Sequence, residues 1–315
     1  MNNMVKVAIL LATYNGEKYV GALLDSIVKQ TFKGIVCYIH DDGSDDNTPE
    51  IIQEYYNKYP HVFRVLNYKN EQNGALNNFM SLVRYASKNT NAEYYMFCDQ
   101  DDVWNENKVH EQVKAICNQC YENCPALTYC DQILVGDELN IIHMSVQRKL
   151  HRREADDGFR RIIFRNTAAG CSMLFNRELL MFISKSVNDN SLIMHDWWAM
   201  LVASYIDNVY YLDKPLVKYR QHGSNTLGVD NNDWIEKSKS YLHDLKGNYT
   251  RRKAHLNKCI MQVNELKSLN IYVNNTPVLN KLLKVMKSPM KLYRILFMLV
   301  NGYISSTNMA LCLFV

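Results

Sequence analysis

The first hundred residues alternate short apolar runs with amphipathic stretches, and few architectures accommodate that pattern. Val5 to Ala12 is an apolar run of strand type. Tyr19 to Gln30 then sets Val20, Leu23, Leu24, Ile27 and Val28 at helical spacing. Ile35 to Ile39 reads as a second strand. Asp45 to Tyr56 reads as a second helix, with Thr48 as N-cap and Pro49 at the first helical position. Val62 to Leu66, Ala75 to Ala86, Tyr94 to Cys98 and Lys108 to Cys117 continue the strand–helix series. Strands separated by helices imply right-handed crossovers and a mostly parallel sheet flanked by helices, an α/β fold. In such sheets ligands bind beyond the carboxyl ends of the strands.

The regularity stops after that unit. Ala126 to Ile142 reads as a pair of short strands around Gly136-Asp137, and Gly170 to Phe175 as another apolar run. Trp197 to Tyr205 has helical character, Val209 to Leu212 and Leu216 to Tyr219 read as short strands, and the pattern from Trp234 onward is mostly helical. The 315 residues divide into an α/β domain over 1–230 and a helical, basic C-terminal extension over 231–315. A chain of this length buries roughly three quarters of its unfolded surface.

Polar residues collect at the strand ends. The first strand ends in Thr13-Tyr14-Asn15-Gly16, the second in His40-Asp41-Asp42-Gly43-Ser44-Asp45-Asp46, the fourth in Asp99-Gln100-Asp101-Asp102. All three should project into one crevice. Acidic clusters sharing a crevice are costly unless a cation or polar ligand offsets them. Asp99 and Asp101 lie two apart, so both can face a metal, and hard oxygen ligands suit Mg²⁺ or Mn²⁺. Taken alone, Asp-Asp-Gly-Ser is an ordinary turn. The chemical reading comes from both clusters ending buried strands of one alternating unit. No Gly-x-Gly-x-x-Gly follows the first strand and no Gly-x-x-x-x-Gly-Lys-Ser/Thr occurs, so a dinucleotide-binding dehydrogenase or a P-loop enzyme would lack its phosphate cradle. A phosphohydrolase of the haloacid-dehalogenase type would need Asp-x-Asp where Thr-Tyr-Asn stands. A nucleotidyltransferase would need a basic Gly-rich loop there.

In order and spacing, Ala12-Thr13-Tyr14-Asn15-Gly16, Asp41 to Asp46 and Asp99-Gln100-Asp101-Asp102-Val103-Trp104 resemble the inverting family-2 glycosyltransferases of GT-A fold. Ala169 to Asn176, His195-Asp196-Trp197-Trp198 and Tyr219-Arg220-Gln221-His222-Gly223-Ser224-Asn225 agree, and the resemblance covers roughly Val5 to Gly228. Asp-Gln-Asp-Asp-Val-Trp together with His-Asp-Trp-Trp is similar to the rhamnosyltransferase-like branch. The resemblance implies a nucleotide-sugar donor, dTDP-rhamnose ahead of a UDP-hexose, and a saccharide or lipid-linked saccharide acceptor in cell-surface polysaccharide synthesis.

It also implies roles. Thr13, Asn15, Asp41 and Asp42 would bind the donor, one of the two aspartates accepting the pyrimidine N3–H. Asp99 would lie near the ribose. Asp101, with Asp102, would hold a divalent cation, Mn²⁺ or Mg²⁺, and His222 is either a further metal or phosphate contact or a loop histidine packed beside Tyr219. Asp196 would be the general base. Gly170 and His195 would lie toward the acceptor. Trp197 and Trp198 are either a sugar-stacking wall or core anchors of a helix. The Arg-Asn pair of many relatives is replaced by Ala75-Leu76-Asn77-Asn78-Phe79. The Gln-x-x-Arg-Trp mark of processive synthases is missing, which argues for single-sugar addition. A non-catalytic sugar- or nucleotide-binding module of the same fold is the competing reading.

The net charge of +4 conceals an asymmetry. From Arg251 onward ten basic residues face Glu265 alone, a net +9 that leaves −5 for the first 250 residues. Lys281, Lys284, Lys287, Lys291 and Arg294 fall three or four apart and predict one helical stripe, bent at Pro289. A basic amphipathic segment on the inner face of the plasma membrane, or a dimer contact, is expected, with no nucleic-acid partner. The apolar stretches near the end fall short of the ~18 residues of a spanning helix. The N-terminus has no signal-peptide pattern, and the nine scattered cysteines predict reduced, buried thiols in a cytoplasmic protein.

Overall fold

The computed structural model describes residues 6–119, 123–152, 158–223 and 245–303. The N-terminal series holds: β1 (Val7–Thr13), α1 (Val20–Val28), β2 (Ile35–Asp41), α2 (Thr48–Lys58), β3 (Phe63–Val65), α3 (Ala75–Asn89), β4 (Tyr94–Asp99), then a two-residue β5 (Val103–Trp104) and α4 (Lys108–Gln119). The expected N-cap Thr48 instead opens α2. Its amide donates to Asp46 Oδ1 (2.9 Å), while its hydroxyl accepts from the Gly16 amide (2.8 Å). The N-cap position falls on Asn47, whose side chain does not cap; Asp46 accepts the first helical amide instead, and Thr48 ties the helix to the first strand's loop.

The hairpin expected around Gly136-Asp137 is β6 (Leu127–Val135) with β7 (Ile141–His143). Three short helices, α5 (Val146–Lys149), α6 (Phe159–Ile162) and α7 (Arg177–Ile183), flank β8 (Met173–Asn176), which a 3₁₀ turn at Gly170–Ser172 introduces. α8 (His195–Ile206) follows. The two short strands expected next are one, β9 (Val209–Arg220). Its partner β6 runs through without a break and absorbs register shifts at Cys130–Asp131 and Asp131–Gln132, where Pro215 sits. A proline, which has no N–H, is tolerated at such a bulge. The C-terminal part is α9 (Leu245–Ser268), α10 (Thr276–Met286) and α11 (Lys291–Val300). The single stripe expected there is split between two helices at Lys287–Met290, around Pro289. The boundary at 230/231 lies outside the described residues, as do Ser224, Asn225 and Cys120.

The sheet order is β3-β2-β1-β4-β8-β6-β9-β5, with β7 on the side of β6. β1, β2, β3, β4, β6 and β9 share one direction, and β5, β7 and β8 oppose it. β1 is buried along its whole length. Its alternate residues enter different cores: Ala8, Leu10 and Ala12 on one face, Val7, Ile9 and Leu11 on the other. The second face is covered by α1, α2 and α4. The first is covered by α3, α7 and α8, and α9–α11 add Cys259, Val263, Leu279, Leu282 and Phe297 to the same cluster. Each large apolar side chain so buried contributes about 1.5–3 kcal/mol. Cys37, Cys98, Cys130, Cys171 and Cys259 are buried. No described helix is long and apolar enough to cross a membrane.

Candidate functional site

Parallel register brings the strand ends level. Thr13 pairs with Asp41 across β1–β2, and Ala12 with Asp99 across β1–β4. Beyond these ends opens a cavity of about 730 Å³, lined by Thr13, Tyr14, Asn15, Tyr19, Asp42, Gly74, Asn78, Phe79, Asp99, Gln100, Asp101 and His222, among others. Three sequence motifs far apart in the chain therefore do share one crevice.

The two adjacent aspartates after β2 separate. Asp41 is consumed by its own loop: Oδ1 accepts from the Thr13 and Ser44 hydroxyls (both 2.7 Å), and Oδ2 accepts from the Ser44 and Gly43 amides (2.8 and 3.2 Å). Asp42 lines the cavity, held by Asn70 Nδ2 (3.0 Å) and the Gly74 amide (2.6 Å). Gly74 adopts φ 114°, where a side chain would be strained. Asn15 has φ 46°. Its side-chain oxygen accepts the Asp45 amide (3.0 Å), and its own amide donates to Ser44 Oγ (2.8 Å).

Gln100 stands between two carboxylates and looks like a spacer in the sequence. Its Oε1 accepts the Tyr14 amide (2.9 Å) and its Nε2 donates to the Tyr14 carbonyl (2.8 Å), as a paired strand would. Gly16 permits this: a Cβ there would lie 2.4 Å from Gln100 Oε1. With Gln100 turned to β1, Asp99 and Asp101 face the cavity. Asp102 turns back under the loop. Its Oδ1 accepts the Arg220 amide (3.1 Å), and its Oδ2 is buried without a hydrogen-bond partner. Asp99, Asp102 and Cys171 each bring one potential ligand atom to within 4.8 Å of the others. Beneath them Lys108 is fully buried, bonded to Gln112 (2.8 Å) and 3.9 Å from the Trp104 ring centroid.

His222 Nε2 lies 2.9 Å from Asp101 Oδ2, and its ring stacks on Tyr19 at 4.8 Å. Tyr19 in turn donates to Asp137, which also receives Lys18, and Arg220 donates to the Asp137 carbonyl and through Nε to the Asp101 carbonyl (2.8 Å). In the sequence Tyr19 and Asp137 carry no predicted role, and Arg220 has only a place in the Tyr219 to Asn225 motif; the fold brings the start of α1 and the β6–β7 turn to the end of β9.

The electrostatics favour a cation. Burial, then the charges of Asp101 and Asp196, push Asp99 up to about 8, and burial with Asp101 and Asp99 pushes Asp102 well above the carboxylate range. Burial keeps the Cys171 thiol protonated. The available donors are therefore carboxylate oxygens and one imidazole nitrogen, a set that fits Mg²⁺ or Mn²⁺, and the unpartnered Asp102 oxygen is a position such an ion would satisfy.

Asp196 stands in the first turn of α8, behind the cavity rather than on its wall. Burial raises it to about 6, against the Trp197 and Gly170 amides and the Asn166 side chain, which favour its charge. His195 stacks on Phe79 at 3.7 Å and meets Phe97 edge-on at 4.6 Å. Both its ring nitrogens are buried without partners, and burial lowers it to about 3, so it is neutral. Gly170 makes room for it, since a Cβ would come within 2.8 Å of His195 Nε2. Trp197 Nε1 donates to the Ile162 carbonyl (2.6 Å) and Trp198 Nε1 to that of Ile183 (3.1 Å), and both rings are buried.

Residues 8–182 match the model of glycosyl transferase family 2. A dTDP-rhamnosyl transferase of Shigella flexneri, RfbG, is 29% identical over 229 residues, 70% of this chain and 74% of its own. An uncharacterized glycosyltransferase of Rickettsia typhi is 26% identical over 71% of this chain and 66% of its own. Among solved structures, S. aureus TarS in complex with UDP superposes with TM-score 0.53 at 18% identity, covering 87% of this chain and 86% of that one. The Pyrobaculum calidifontis mannosyltransferase PcManGT, in complex with GDP-Man and Mn²⁺, gives 0.51 at 14% identity over 98% and 86%. The alternatives of a phosphohydrolase or a non-catalytic module find no support in these relatives. A strand-end crevice of carboxylates, a GT-A sheet and a family match over more than half its length together make this chain a member of glycosyl transferase family 2, and a glycosyltransferase.

Proposed function

We propose that the protein moves one sugar, with inversion, from a nucleoside-diphosphate donor to a hydroxyl of a saccharide or lipid-linked saccharide in cell-surface polysaccharide synthesis. The observation that carries this reading is the convergence of Asp42, Asp99, Asp101 and His222 on one 730 Å³ cavity, with Asp196 close enough to raise Asp99. Asp42 accepts the pyrimidine N3–H; Asp41, spent on its loop, shapes that wall with Thr13 and Asn15. Asp99 lies toward the ribose. Asp101, Asp102 and His222 are the residues that would hold Mn²⁺ or Mg²⁺. Such an ion, when bound, neutralises the charge developing on the departing diphosphate.

Asp196 takes the proton from the acceptor hydroxyl as its oxygen attacks the anomeric carbon. The bond to the nucleoside diphosphate breaks on the opposite face, which inverts the centre. A carboxylate raised to about 6 is a stronger base than an ordinary one and is still ionised at neutral pH. The likeness to RfbG supports dTDP-rhamnose ahead of a UDP-hexose. Calorimetry over a panel of dTDP- and UDP-sugars, with and without Mn²⁺ or Mg²⁺, tests this. Metal-dependent binding of dTDP-rhamnose, weakened about 10–100-fold in Asp101→Ala, is expected. Binding of no donor under either metal overturns the reading.

A further inference from the structure

α11 is apolar on both sides, yet among the described residues only one side is covered. Phe297 and Met298 pack into the core. Leu292, Leu296 and Val300, one turn apart on the outer side, are 67%, 50% and 83% exposed. Tyr293 and the preceding Met290 extend the same bare surface. A helix that is apolar all round is normally covered all round, and a bare stripe of this kind marks a contact surface.

The charge around it narrows what can cover it. Lys281, Lys284 and Lys287 are exposed on α10 and the turn before α11, and the Lys281 ammonium lies 5.4 Å from the Phe297 ring centroid. From Leu245 to Tyr303 the single acidic residue is Glu265, which is buried and accepts the Val187 and Asn188 amides (2.5 and 3.2 Å). α10 and α11, which pack on each other, therefore expose cations and an apolar stripe but no carboxylate. A second copy docked there would oppose lysine to lysine. An anionic lipid surface supplies both missing partners, hydrocarbon for the stripe and phosphate for the ammonium groups.

We propose that the outer face of α11, together with the exposed Lys281, Lys284 and Lys287 of the neighbouring α10 and the turn between them, docks on an anionic phospholipid membrane. The helix lies in the interface plane. Its ten residues span about 15 Å, half the hydrocarbon thickness, so it lies on the bilayer and does not cross it. Neither donor nor acceptor enters this proposal, so it stands or falls apart from the sugar-transfer reading.

The test is flotation of the full chain with vesicles of phosphatidylcholine, alone or mixed with phosphatidylglycerol, at low and high salt, with mass measured by light scattering. Binding to the mixed vesicles at low salt is expected, at least about tenfold stronger than to phosphatidylcholine. Leu296→Glu and Val300→Glu should each weaken it about tenfold or more, because a charge replaces buried hydrocarbon. Replacing Lys281, Lys284 and Lys287 together by Gln should remove the preference for anionic lipid. All variants should keep the wild-type melting temperature. Absence of binding to mixed vesicles, or binding that Leu296→Glu and Val300→Glu leave unchanged, overturns the proposal. So does a dimer that Leu296→Glu dissociates, which would assign the face to a second copy.

Discussion

In the crevice carboxylates are crowded and largely spoken for; in the C-terminal helices cations are crowded and face solvent. Asp41, Asp42, Asp46 and Asp196 are each held by a backbone amide, of Ser44, Gly74, Thr48 at the start of α2 and Trp197 in the first turn of α8. Their positions are set before any ligand arrives. Asp99 and Asp101 line the cavity, and burial with the neighbouring charges of Asp101 and Asp196 raises Asp99. The lysines of α10 have no such scaffold, and the counter-charge must come from outside the helices. One region gathers acidic groups that backbone amides hold in place. The other spreads an excess over a flat face, where position matters less than sum.

The largest expected effect belongs to the rigid region. Asp196→Asn should lower kcat by about 10²–10⁴-fold while donor affinity holds, because the amide keeps the packing but cannot take a proton. Val300→Glu, on the other face, should leave turnover of a soluble acceptor unchanged. Equal losses in both would erase the division of labour.

The pH profile separates the regions next. Below about 6 Asp196 is protonated in the folded protein and has lost its base function, so kcat/KM should fall about tenfold per unit on that limb and level off above it. Vesicle binding should not follow that limb, because Asp196 stands in the first turn of α8 and not on the outer face of α11.

Gly170→Ala is a smaller perturbation. The new methyl meets His195 Nε2 at 2.8 Å with Phe97 behind it, which predicts a loss of about 1–3 kcal/mol in unfolding free energy together with slower turnover. Lys284→Ala, on the solvated face, should shift the unfolding free energy by less than about 0.5 kcal/mol, as chemical denaturation would show.

Much of the crevice was legible because strand–helix alternation fixes the hand of the crossovers, and polar residues at the carboxyl ends of buried strands have one place to go. Less was legible where a side chain's direction depends on a neighbouring strand. Asp41 and Asp42 are alike in sequence, and only the pairing of Thr13 with Asp41 decides which is spent on the loop. Val209 to Leu212 and Leu216 to Tyr219 look separate because Asp213-Lys214-Pro215 reads as a break, but the long partner β6 carries the ladder across it. The basic stripe read as one helix because lysine spacing is blind to a turn. Pro289 ends that continuity, and the apolar face of α11, invisible in a charge count, becomes the more telling feature.

The clasp of Gln100 on the Tyr14 peptide has a mechanical consequence. Two hydrogen bonds weld the loop after β1 to the loop carrying Asp99 and Asp101, so the wall that would meet a nucleobase and the residues that would meet its phosphates move as one body. A donor whose base seats badly then drags its own diphosphate out of register. Discrimination between bases would be felt in the speed of the reaction as much as in the grip on the donor.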